Sequence, residues 1–401
     1  MKSIVMIGGG IQQKYAVTKL QKNGYKVIVT DKNPNSETSK LADYFINASA
    51  TEVKKISTWI LNHKSKLNIK GIFTLINYAY ETSVIAKSCN LPSLEPNLVL
   101  ESDDKLLMKN KFLENEIPTA KFLSISNFKE LEEGIKKIGL PAFLKATDAF
   151  GGRGIEEISN NDEIKIKWDR VTKVVSSGSI ILEEKLDGEF LDLQGFLHNG
   201  NFFRAGDCQS WFTENLPMIG KINPIETLNI APAQNFSDVI DDAYRLLEKT
   251  AISLGIKWGP IGGDLIRTKE GLKIIEIAAR LHGPNGTLWL FPLIGLEPLL
   301  FLAQMVCNES LKKGFLETET NRVSLCKVFT GKPGIVKKIK IPNHKNIVGF
   351  NIYSKINESY NLDSPYAGLA TVFVKTNTLD EAKQALKEIE IDFEIEINNN
   401  S

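Results

Sequence analysis

Two carboxylates within residues 259 to 280 have the spacing of a metal site on a β-hairpin. Two β-prone runs flank a short turn that contains a glycine, which is a hairpin signal. If residues 269 to 271 form a three-residue loop with this glycine last, Asp264 pairs with Glu276 on one face. Like charges opposed across a sheet are destabilising, and a bound cation removes the conflict. Oxygen ligands favour Mg²⁺ or Mn²⁺, and Mg²⁺ usually arrives with nucleotide phosphates.

The same residues also fit a surface hairpin whose acids lie in water. A two-residue loop would shift the register by one and put Asp264 and Glu276 on opposite faces. The hairpin alone leaves both interpretations open, so the rest of the chain must distinguish them.

A lysine and a glycine-rich loop form a second candidate site. Lys145 lies among apolar neighbours in a short predicted strand, and Gly151-Gly152-Arg153-Gly154 follows before the strand at 155 to 158. Such a loop can fold over phosphates and present backbone N–H groups, and a nearby lysine adds charge. It is not the Walker sequence, because no Gly-Lys-Ser/Thr follows. The alternative, a flexible hairpin tip, would not require a lysine inside the strand.

Two more segments have residues suited to a nucleotide. Ser102 is the predicted N-cap of a helix over residues 103 to 115, which puts Lys105 in the first turn of this helix. The helix dipole does not stabilise a positive charge there, so the lysine suggests another use. A solvated lysine is the alternative. Further on, residues 183 to 189 are predicted as a strand end and an extended linker. Extended backbone can bind an adenine edge and Glu189 can accept from ribose, although an acidic loop has the same sequence.

The N-terminal pattern of strand, helix and strand predicts a parallel sheet. Its Gly8–Gly10 turn is followed by Gln13 where a dinucleotide-binding motif has its third glycine, and Asp31 has the spacing of a ribose acceptor. The motif is incomplete, so a structural or substrate-shaping role is favoured over nicotinamide binding. Glu81 follows the strand predicted at 72 to 76, at the end where ligands gather in open α/β sheets; a helix start is the simpler interpretation.

The later part of the chain shows fewer patterns. Residues 201 to 234 have no clear period and are predicted to be rich in loops. His282 and Gly283 follow Arg280 in a second glycine-rich loop, where a lone histidine is more often a packing residue than a base. From residue 322 onward, alternating strands and one late helix predict a smaller α/β unit.

Composition excludes several classes of protein. The 401 residues favour two or three domains, and a net charge of +1 gives no support for a nucleic-acid or membrane partner. The four cysteines lie far apart without metal or redox spacing, which favours a reduced, cytoplasmic compartment. The N-terminal apolar run, broken by three glycines, predicts a buried strand and not a secretory signal. Residues 288 to 306 are apolar but too interrupted to span a bilayer.

The order of these parts resembles the ATP-grasp superfamily over essentially the whole chain. The likeness is closest to its carboxylate–amine ligases and its carbamoyl-phosphate synthetase and biotin carboxylase branch. The combination is specific, although no single motif in it is. The resemblance implies an α/β (α+β) fold with a Rossmann-like pre-grasp domain at 1–100 and an ATP-grasp domain at 101–310. Within the latter, a lid is expected at about 120–190, and a small α/β domain at 311–401 completes the chain.

The resemblance also implies a role for each candidate residue. Contacts to ATP are expected from Lys105, Lys145, Gly151, Gly152, Arg153, Gly154, Glu183, Glu184, Lys185, Leu186 and Glu189. Mg²⁺ (or Mn²⁺) is expected on Asp264 and Glu276. Arg280 would stabilise the acyl phosphate or the oxyanion that follows it, and Lys145, which contacts the phosphates, is the other expected catalytic residue. His282, Gly283 and Glu81 are expected near the substrates. Two departures matter: many members have Glu at position 264 and Asn at position 278, where this chain has Asp264 and Ala278.

The resulting prediction is an ADP-forming ligase that joins a carboxylate, such as an amino acid or small acid, to an amine through an acyl phosphate. A kinase or carboxylase of the same fold is the first alternative, although no Met-Lys-Met biotin carrier occurs. A nicotinamide oxidoreductase using Gly8–Gly10 is the alternative of another class. The third is an inactive nucleotide-binding module, for which Ala278 is the only indication. General symmetry arguments favour a homodimer.

Overall fold

The computed structural model describes residues 1–149, 154–176, 179–212, 226–283, 285–318, 321–361 and 368–398. The chain begins with a parallel four-stranded sheet in this described part, in the order Tyr44–Asn47, Tyr25–Asp31, Lys2–Ile7 and Ile69–Thr74. The helices connected to this sheet are Lys14–Lys22, Val53–Leu67 and Ala79–Ser88. The central strand is buried almost throughout, as its uninterrupted apolar sequence predicts for a parallel sheet.

The glycine turn after the first strand is held by the chain itself. Asp31 Oδ2 accepts a hydrogen bond from the Gly9 N–H at 3.0 Å, and the Thr38 hydroxyl donates to the Gly9 carbonyl at 2.8 Å. Gly8 has a φ of +94°, and a Cβ there would lie 2.4 Å from Ile76 Cδ1. The carboxylate predicted as a ribose acceptor therefore braces the turn, which supports the structural interpretation of this motif.

Two helices, rather than one, precede the lid. The first is Pro96–Asp103 and the second is Lys105–Glu114. The predicted N-cap at Ser102 is wrong: its hydroxyl donates to a carbonyl of the first helix, whereas Asp104 caps the second by accepting from two backbone N–H groups at 2.9 Å each. The first helix begins at a proline, which suits the first helical position and marks a start that the prediction missed.

An antiparallel sheet with its own core follows. Its strands, within the described residues, lie in the order Phe122–Ile125, Ile180–Glu184, Ala142–Ala146 and Ile155–Ile158. Helices Phe128–Ile138 and Ile164–Thr172 pack on this sheet around buried aliphatic residues. This unit, called the lid below, corresponds to residues 122 to 184.

A long sheet forms the centre of the molecule. Its eight described strands are, in order, Gly271–Ala278, Gly259–Thr268, Glu189–His198, Asn201–Phe212, Glu226–Ala231, Val323–Phe329, Ala370–Thr376 and Ile347–Ile352. The sheet is continuous across residue 310, where the sequence predicts a domain boundary, because strand Glu226–Ala231 pairs with strand Val323–Phe329. The loop-rich prediction for 201 to 234 is wrong at 201–212 and 226–231, which are strands; residues 213–225 lie outside the described part.

The remaining elements cover the long sheet and close the C-terminal part. The helices are Ile240–Ser253, Phe291–Ile294, Pro298–Val306 and Leu379–Asp392, and a small sheet joins Ser359–Tyr360, Gly334–Lys340 and Glu394–Asn398. Every residue of helix Pro298–Val306 is buried, as expected for a helix that is apolar on all sides. No single helix of the described residues is long and apolar enough to cross a membrane; the bent pair Gly286–Ile294 and Pro298–Val306 passes that test only as a pair.

Candidate active site

The predicted pairing of the two hairpin acids is confirmed. Asp264 on strand Gly259–Thr268 lies opposite Glu276 on the adjacent strand. The route to this pairing differs from the prediction, because Thr268 pairs with Gly271 and leaves a two-residue loop. A register shift just after Asp264 makes Ile275 an extra residue, and this bulge restores the alignment that the shorter loop would have lost.

A third carboxylate extends the row across the sheet. Asp192, on strand Glu189–His198, lies opposite Asp264 on its other side. His282 Nδ1 is 3.2 Å from Asp264 Oδ1 and 3.8 Å from Asp192 Oδ1. One candidate ligand atom from each of these three residues lies within 4.8 Å of the others. The sequence prediction missed Asp192, because the pairing of its strand with the hairpin cannot be read from local spacing.

The ring of His282 is accommodated by a glycine. Gly262 lies beneath it, and a Cβ at this position would be 2.1 Å from His282 Cδ2. The His282 carbonyl accepts from Gln194 Nε2 at 2.9 Å, which fixes the backbone at the start of the loop that also contains Gly283. The histidine is thus buried and positioned by the strands of the sheet.

The electrostatics of the row follow from burial and mutual charge. Burial raises the pKa of Asp192, and the neighbouring carboxylate of Asp264 adds to the shift. Burial disfavours the charged form of His282, yet the two aspartates outweigh it and raise the pKa of this histidine. For Glu276, burial is outweighed by Lys105 and other nearby cations, which lower its pKa.

The donor set fits a hard divalent cation. Asp192 Oδ1 is buried and has no hydrogen-bond partner within the described part of the chain, so it is available to a ligand. Together with the carboxylate of Asp264, it offers the oxygen donors that Mg²⁺ and Mn²⁺ prefer, and Glu276 lies opposite Asp264 on the next strand. Asp192 also adds an oxygen donor to a site in which Ala278 provides none.

The lysine predicted to contact phosphate lies in a buried ionic cluster. Lys145 Nζ donates to Glu183 Oε2 at 2.7 Å, and Lys109 Nζ donates to Glu183 Oε1 at 2.8 Å. Burial favours the protonated form of Glu183, but the two lysines outweigh it and lower its pKa to about 2. Lys109, whose own pKa burial lowers, was not among the predicted site residues. The side chain of Glu183 therefore holds lysines, while its backbone lies between two neighbouring strands of the lid.

A cavity of about 180 Å³ brings the other predicted groups together. Lys105, Glu276 and Arg280 all line it. The Lys105 ammonium donates to the Ala149 carbonyl at 2.8 Å, two residues before the start of the predicted phosphate loop at Gly151. Arg280 Nη2 donates to Asn77 Oδ1 at 2.6 Å, so the N-terminal unit contributes to the same cavity.

Of the phosphate loop, only the last glycine lies within the described residues. Gly154 has a φ of +68°, and a Cβ there would be 2.8 Å from Ala146 Cβ, which explains the need for glycine. Gly151, Gly152 and Arg153 lie outside the described residues, so their predicted contacts are not tested.

Asp103 is a third residue that sequence reasoning missed. It ends helix Pro96–Asp103 and lines the cavity beside Arg280 and Lys105. Burial raises its pKa to about 7, despite the opposing charge of Arg280. The predicted substrate residue Glu81 lies in the first turn of helix Ala79–Ser88, where burial raises its pKa, and its charge in turn raises that of Asp103.

The predicted adenine linker has its acidic and basic residues paired. Glu184 Oε1 accepts from the Lys121 N–H at 2.9 Å, and Lys185 Nζ donates to Glu157 Oε1 at 2.9 Å. Leu186 follows outside the strands, as an extended linker requires. Further along, Glu189 accepts hydrogen bonds from Arg267, so a ribose at this carboxylate would share it with a guanidinium.

Comparisons with known proteins agree with this geometry. No model of a known protein family matches the chain. The phosphoribosylamine–glycine ligase of Methanococcus maripaludis strain C7 is 26% identical over 346 residues, covering 81% of this chain and 77% of that protein. The large chain of carbamoyl phosphate synthase from Clostridium perfringens strain SM101 is 23% identical over 287 residues, covering 69% of this chain and 26% of that protein.

Solved structures share the fold along nearly the entire chain. The L-amino acid ligase from Bacillus licheniformis has a TM-score of 0.82 at 16% identity, covering 100% of this chain and 99% of that chain. The biotin carboxylase domain dimer of the Hydrogenobacter thermophilus 2-oxoglutarate carboxylase, in complex with MgADP, ADP and bicarbonate, has a TM-score of 0.75 at 15% identity. It covers 99% of this chain and 91% of that chain.

The structure is an α/β fold that combines a parallel N-terminal sheet, a small antiparallel sheet and a long central sheet. Its relatives and structural neighbours are ATP-grasp proteins, and the chain is similar to the carboxylate–amine ligases of that superfamily. The predicted fold class, the ADP-forming ligase chemistry and the use of ATP with Mg²⁺ are confirmed at the level of this superfamily. The residues that carry the chemistry, and the domain limits, stay predictions.

Proposed function

We propose that the cavity beside Arg280 is where this ligase activates a small carboxylic acid or amino acid and joins it to an amine. A carboxylate oxygen attacks the γ-phosphorus of ATP, the bond to the ADP oxygen breaks, and an acyl phosphate forms. The amine nitrogen then attacks the acyl carbon, phosphate leaves, and the nitrogen gives up a proton. The convergence of Lys105, Glu276 and Arg280 on one cavity supports this assignment most directly.

The cations of the site bind and orient anions. Lys105 and Lys145 are the proposed phosphate contacts, with the backbone of residues 151 to 154 closing over them. Arg280 is held by Asn77 and the Leu281 carbonyl, at 2.6 and 3.0 Å, which leaves its planar guanidinium fixed toward the cavity wall. A guanidinium of this kind suits a carboxylate or acyl phosphate, because it can bind two oxygens at once.

The acidic row is the proposed metal site. Asp264 and Glu276 would hold Mg²⁺, with Asp192 as an additional oxygen donor and His282 orienting Asp264. Bound there, the cation would neutralise phosphoryl oxygens, as metal ions do in phosphoryl transfer generally. A site with Asp192 does not depend on an oxygen donor at position 278, so the presence of Ala278 is compatible with activity.

Asp103 is the proposed acceptor for the proton of the amine. It lies in the same cavity as Arg280, which places a carboxyl group beside the proposed acyl site. Its pKa of about 7 suits a group that exchanges a proton near neutral pH. Glu81 is the proposed second anion for a substrate ammonium group.

The nucleotide base and the wider organisation complete the proposal. The backbone of Glu183 to Leu186 would bind adenine, with Glu189 on the ribose. The separate N-terminal sheet supports the division at residue 100, whereas the proposed division at residue 310 falls within a part of the chain whose strands on both sides share the long sheet. A homodimer without nucleic-acid or membrane partners is proposed, and four free, buried cysteines favour the cytoplasm.

ADP release from ATP and MgCl₂ tests the function, with amino acids and small carboxylic acids supplied in pairs with amines. We expect ADP that depends on a carboxylate and an amine together, with the amide identified by mass spectrometry. ADP formed at full rate with one substrate alone, with a phosphorylated product, would replace the ligase by a kinase. Absence of ATP binding by calorimetry would refute the proposal.

A further inference from the structure

Two buried lysines share one buried carboxylate where helix Lys105–Glu114 meets the lid. Lys109 and Lys145 donate to the two oxygens of Glu183 at 2.8 and 2.7 Å. The side chains of Lys109 and Glu183 are 1% and 3% exposed, whereas that of Lys145 is 11% exposed. With all three groups charged, the cluster has one positive charge in excess, and its most accessible member is Lys145.

The two lysines are anchored differently. Lys109 Nζ also donates to Thr119 Oγ1 at 2.6 Å, and Thr119 Oγ1 donates to the Ile274 carbonyl at 2.7 Å. Ile274 lies two residues before Glu276 on the same strand. Lys109 is therefore tied to the hairpin that carries the proposed metal ligands, while Lys145 belongs to the lid.

A buried charge is costly unless it is paired, and removing one partner leaves that cost uncompensated. If Lys145 moved from Glu183 to a phosphate without another cation nearby, the carboxylate would be left buried and unpaired. Lys109 prevents this, because it remains hydrogen-bonded to the same carboxylate. An arriving phosphate would also offset the excess positive charge of the cluster.

We propose that Lys109 is a positioning residue that keeps Glu183 paired when Lys145 turns from this carboxylate to the nucleotide phosphates. The inference rests on the proposed function, specifically on the phosphate-binding role of Lys145. In the absence of ATP, Glu183 binds Lys145 and holds it in position. Lys109 then allows Lys145 to move from Glu183 to the phosphates, and Lys109 itself does not contact the nucleotide.

A charge-swap series tests this role by calorimetric titration of ATP in MgCl₂, without carboxylate or amine. In Lys109→Met, Lys145 must stay with Glu183, and we expect ATP affinity to fall by about tenfold or more. In the double variant Lys109→Met/Glu183→Gln, the carboxylate no longer retains Lys145. Affinity should then return to within about threefold of the Glu183→Gln variant, a non-additive result that indicates direct coupling.

The lid offers a matched control in a second buried ion pair. Lys167 Nζ is 3.1 Å from Glu156 Oε2, with both side chains 8% exposed. Lys167→Met removes a buried lysine of the lid without touching Glu183, so ATP affinity should stay within about twofold while thermal stability falls, as for other broken buried pairs. Melting curves on all variants identify the folded fraction.

The outcomes separate this inference from the proposed function. Failure of the wild-type protein to bind ATP would refute both. Wild-type binding with unchanged affinity in folded Lys109→Met would overturn the inference alone, as would a double variant that binds no better than Lys109→Met. If Lys109→Met does not fold, the comparison of Glu183→Gln with the double variant still tests the proposal. Equal ATP affinities of these two variants support the positioning role of Lys109, and a further tenfold loss of ATP affinity in the double variant contradicts it.

Discussion

Asp192 lies directly opposite Asp264 on the neighbouring strand, and His282 Nδ1 lies 3.8 Å from an oxygen of Asp192 and 3.2 Å from an oxygen of Asp264. Two partly buried acids in this relationship repel each other, so the folded chain holds an electrostatic conflict within its long sheet. A divalent cation would relieve it. The proposed metal site is therefore the first feature to test.

The first consequence concerns the hairpin acid. Glu276→Gln keeps the size of the side chain but removes a charge that Lys105 and Arg280 stabilise. We expect turnover to fall by about 10² or more, the size of effect seen when one electrostatic partner of a transition state is removed. Steady-state ADP release measures this, and circular dichroism should show an intact fold. Full activity would remove Glu276 from the metal site.

Glu270→Gln is a matched control for that variant. Glu270 lies in the two-residue turn of the same hairpin, where its side chain is 76% exposed and contacts only Lys273 among the salt bridges of the described residues. Exposed pairs of this kind contribute little, so turnover and stability should both remain close to the wild-type values.

The second consequence concerns the metal requirement. Asp192→Asn should raise the Mg²⁺ concentration for half-maximal activity by about tenfold, with activity recovered at high Mg²⁺, because one supporting oxygen is weakened. Without metal, the same variant should melt at a higher temperature than the wild type, since a buried and unpartnered carboxylate oxygen is replaced by an amide. An unchanged Mg²⁺ titration would exclude Asp192 from the site.

Much of this site could be predicted from sequence, and the hairpin shows both the success and its limit. The alternation of side chains placed Asp264 and Glu276 on one face, and they are paired in the structure. The assumed loop length was wrong, however, and the correct pairing arises from the bulge at Ile275. Loop length and bulges compensate each other, and a local pattern cannot distinguish the combinations.

The residues that were missed are those whose neighbours are distant in the chain. Asp192 meets Asp264 through the pairing of strands about 70 residues apart, which sequence periodicity does not determine. In the sequence, Lys109 looks like an ordinary lysine of a helix. Its buried position depends on the ion pair with Glu183, which lies in the lid. Asp103 was taken as a first-turn acid of the following helix. In each case tertiary packing overrides a local interpretation that was reasonable in itself.

The third consequence concerns the packing beneath the histidine. Gly262→Ala would put a methyl group 2.1 Å from the His282 ring and force this ring away from Asp264. We expect a loss of about 1 to 3 kcal/mol in the free energy of unfolding, as for other overpacked core positions, together with lower turnover. Gly314→Ala is the control, since its Cβ meets nothing within 4 Å. Equal melting temperatures for the two variants would contradict the predicted clash.

The fourth consequence is a pH dependence of stability at Asp103. The pKa of this carboxyl is about 7 in the folded protein, against an ordinary value of 3.8. Between these values the folded state holds a proton that the unfolded state has released, so this group makes stability fall as pH rises through the window. Asp103→Asn removes the effect. The melting temperature of Asp103→Asn, relative to that of the wild type, should therefore increase between pH 5 and pH 8. A difference in melting temperature that stays constant over this range would show that Asp103 has an ordinary pKa.

The same carboxyl should set the pH dependence of the reaction with the amine. If Asp103 accepts the proton of the nucleophile, kcat/KM for the amine should rise with pH and level off near pH 7, where this group becomes ionised. Asp103→Asn should lower kcat/KM by about 10² and abolish that inflection, because general-base catalysis contributes an effect of this size. Glu101→Gln, two residues earlier in the same helix, should keep the wild-type profile. Persistence of the inflection in Asp103→Asn would assign the titration to another group and remove Asp103 from the proton transfer.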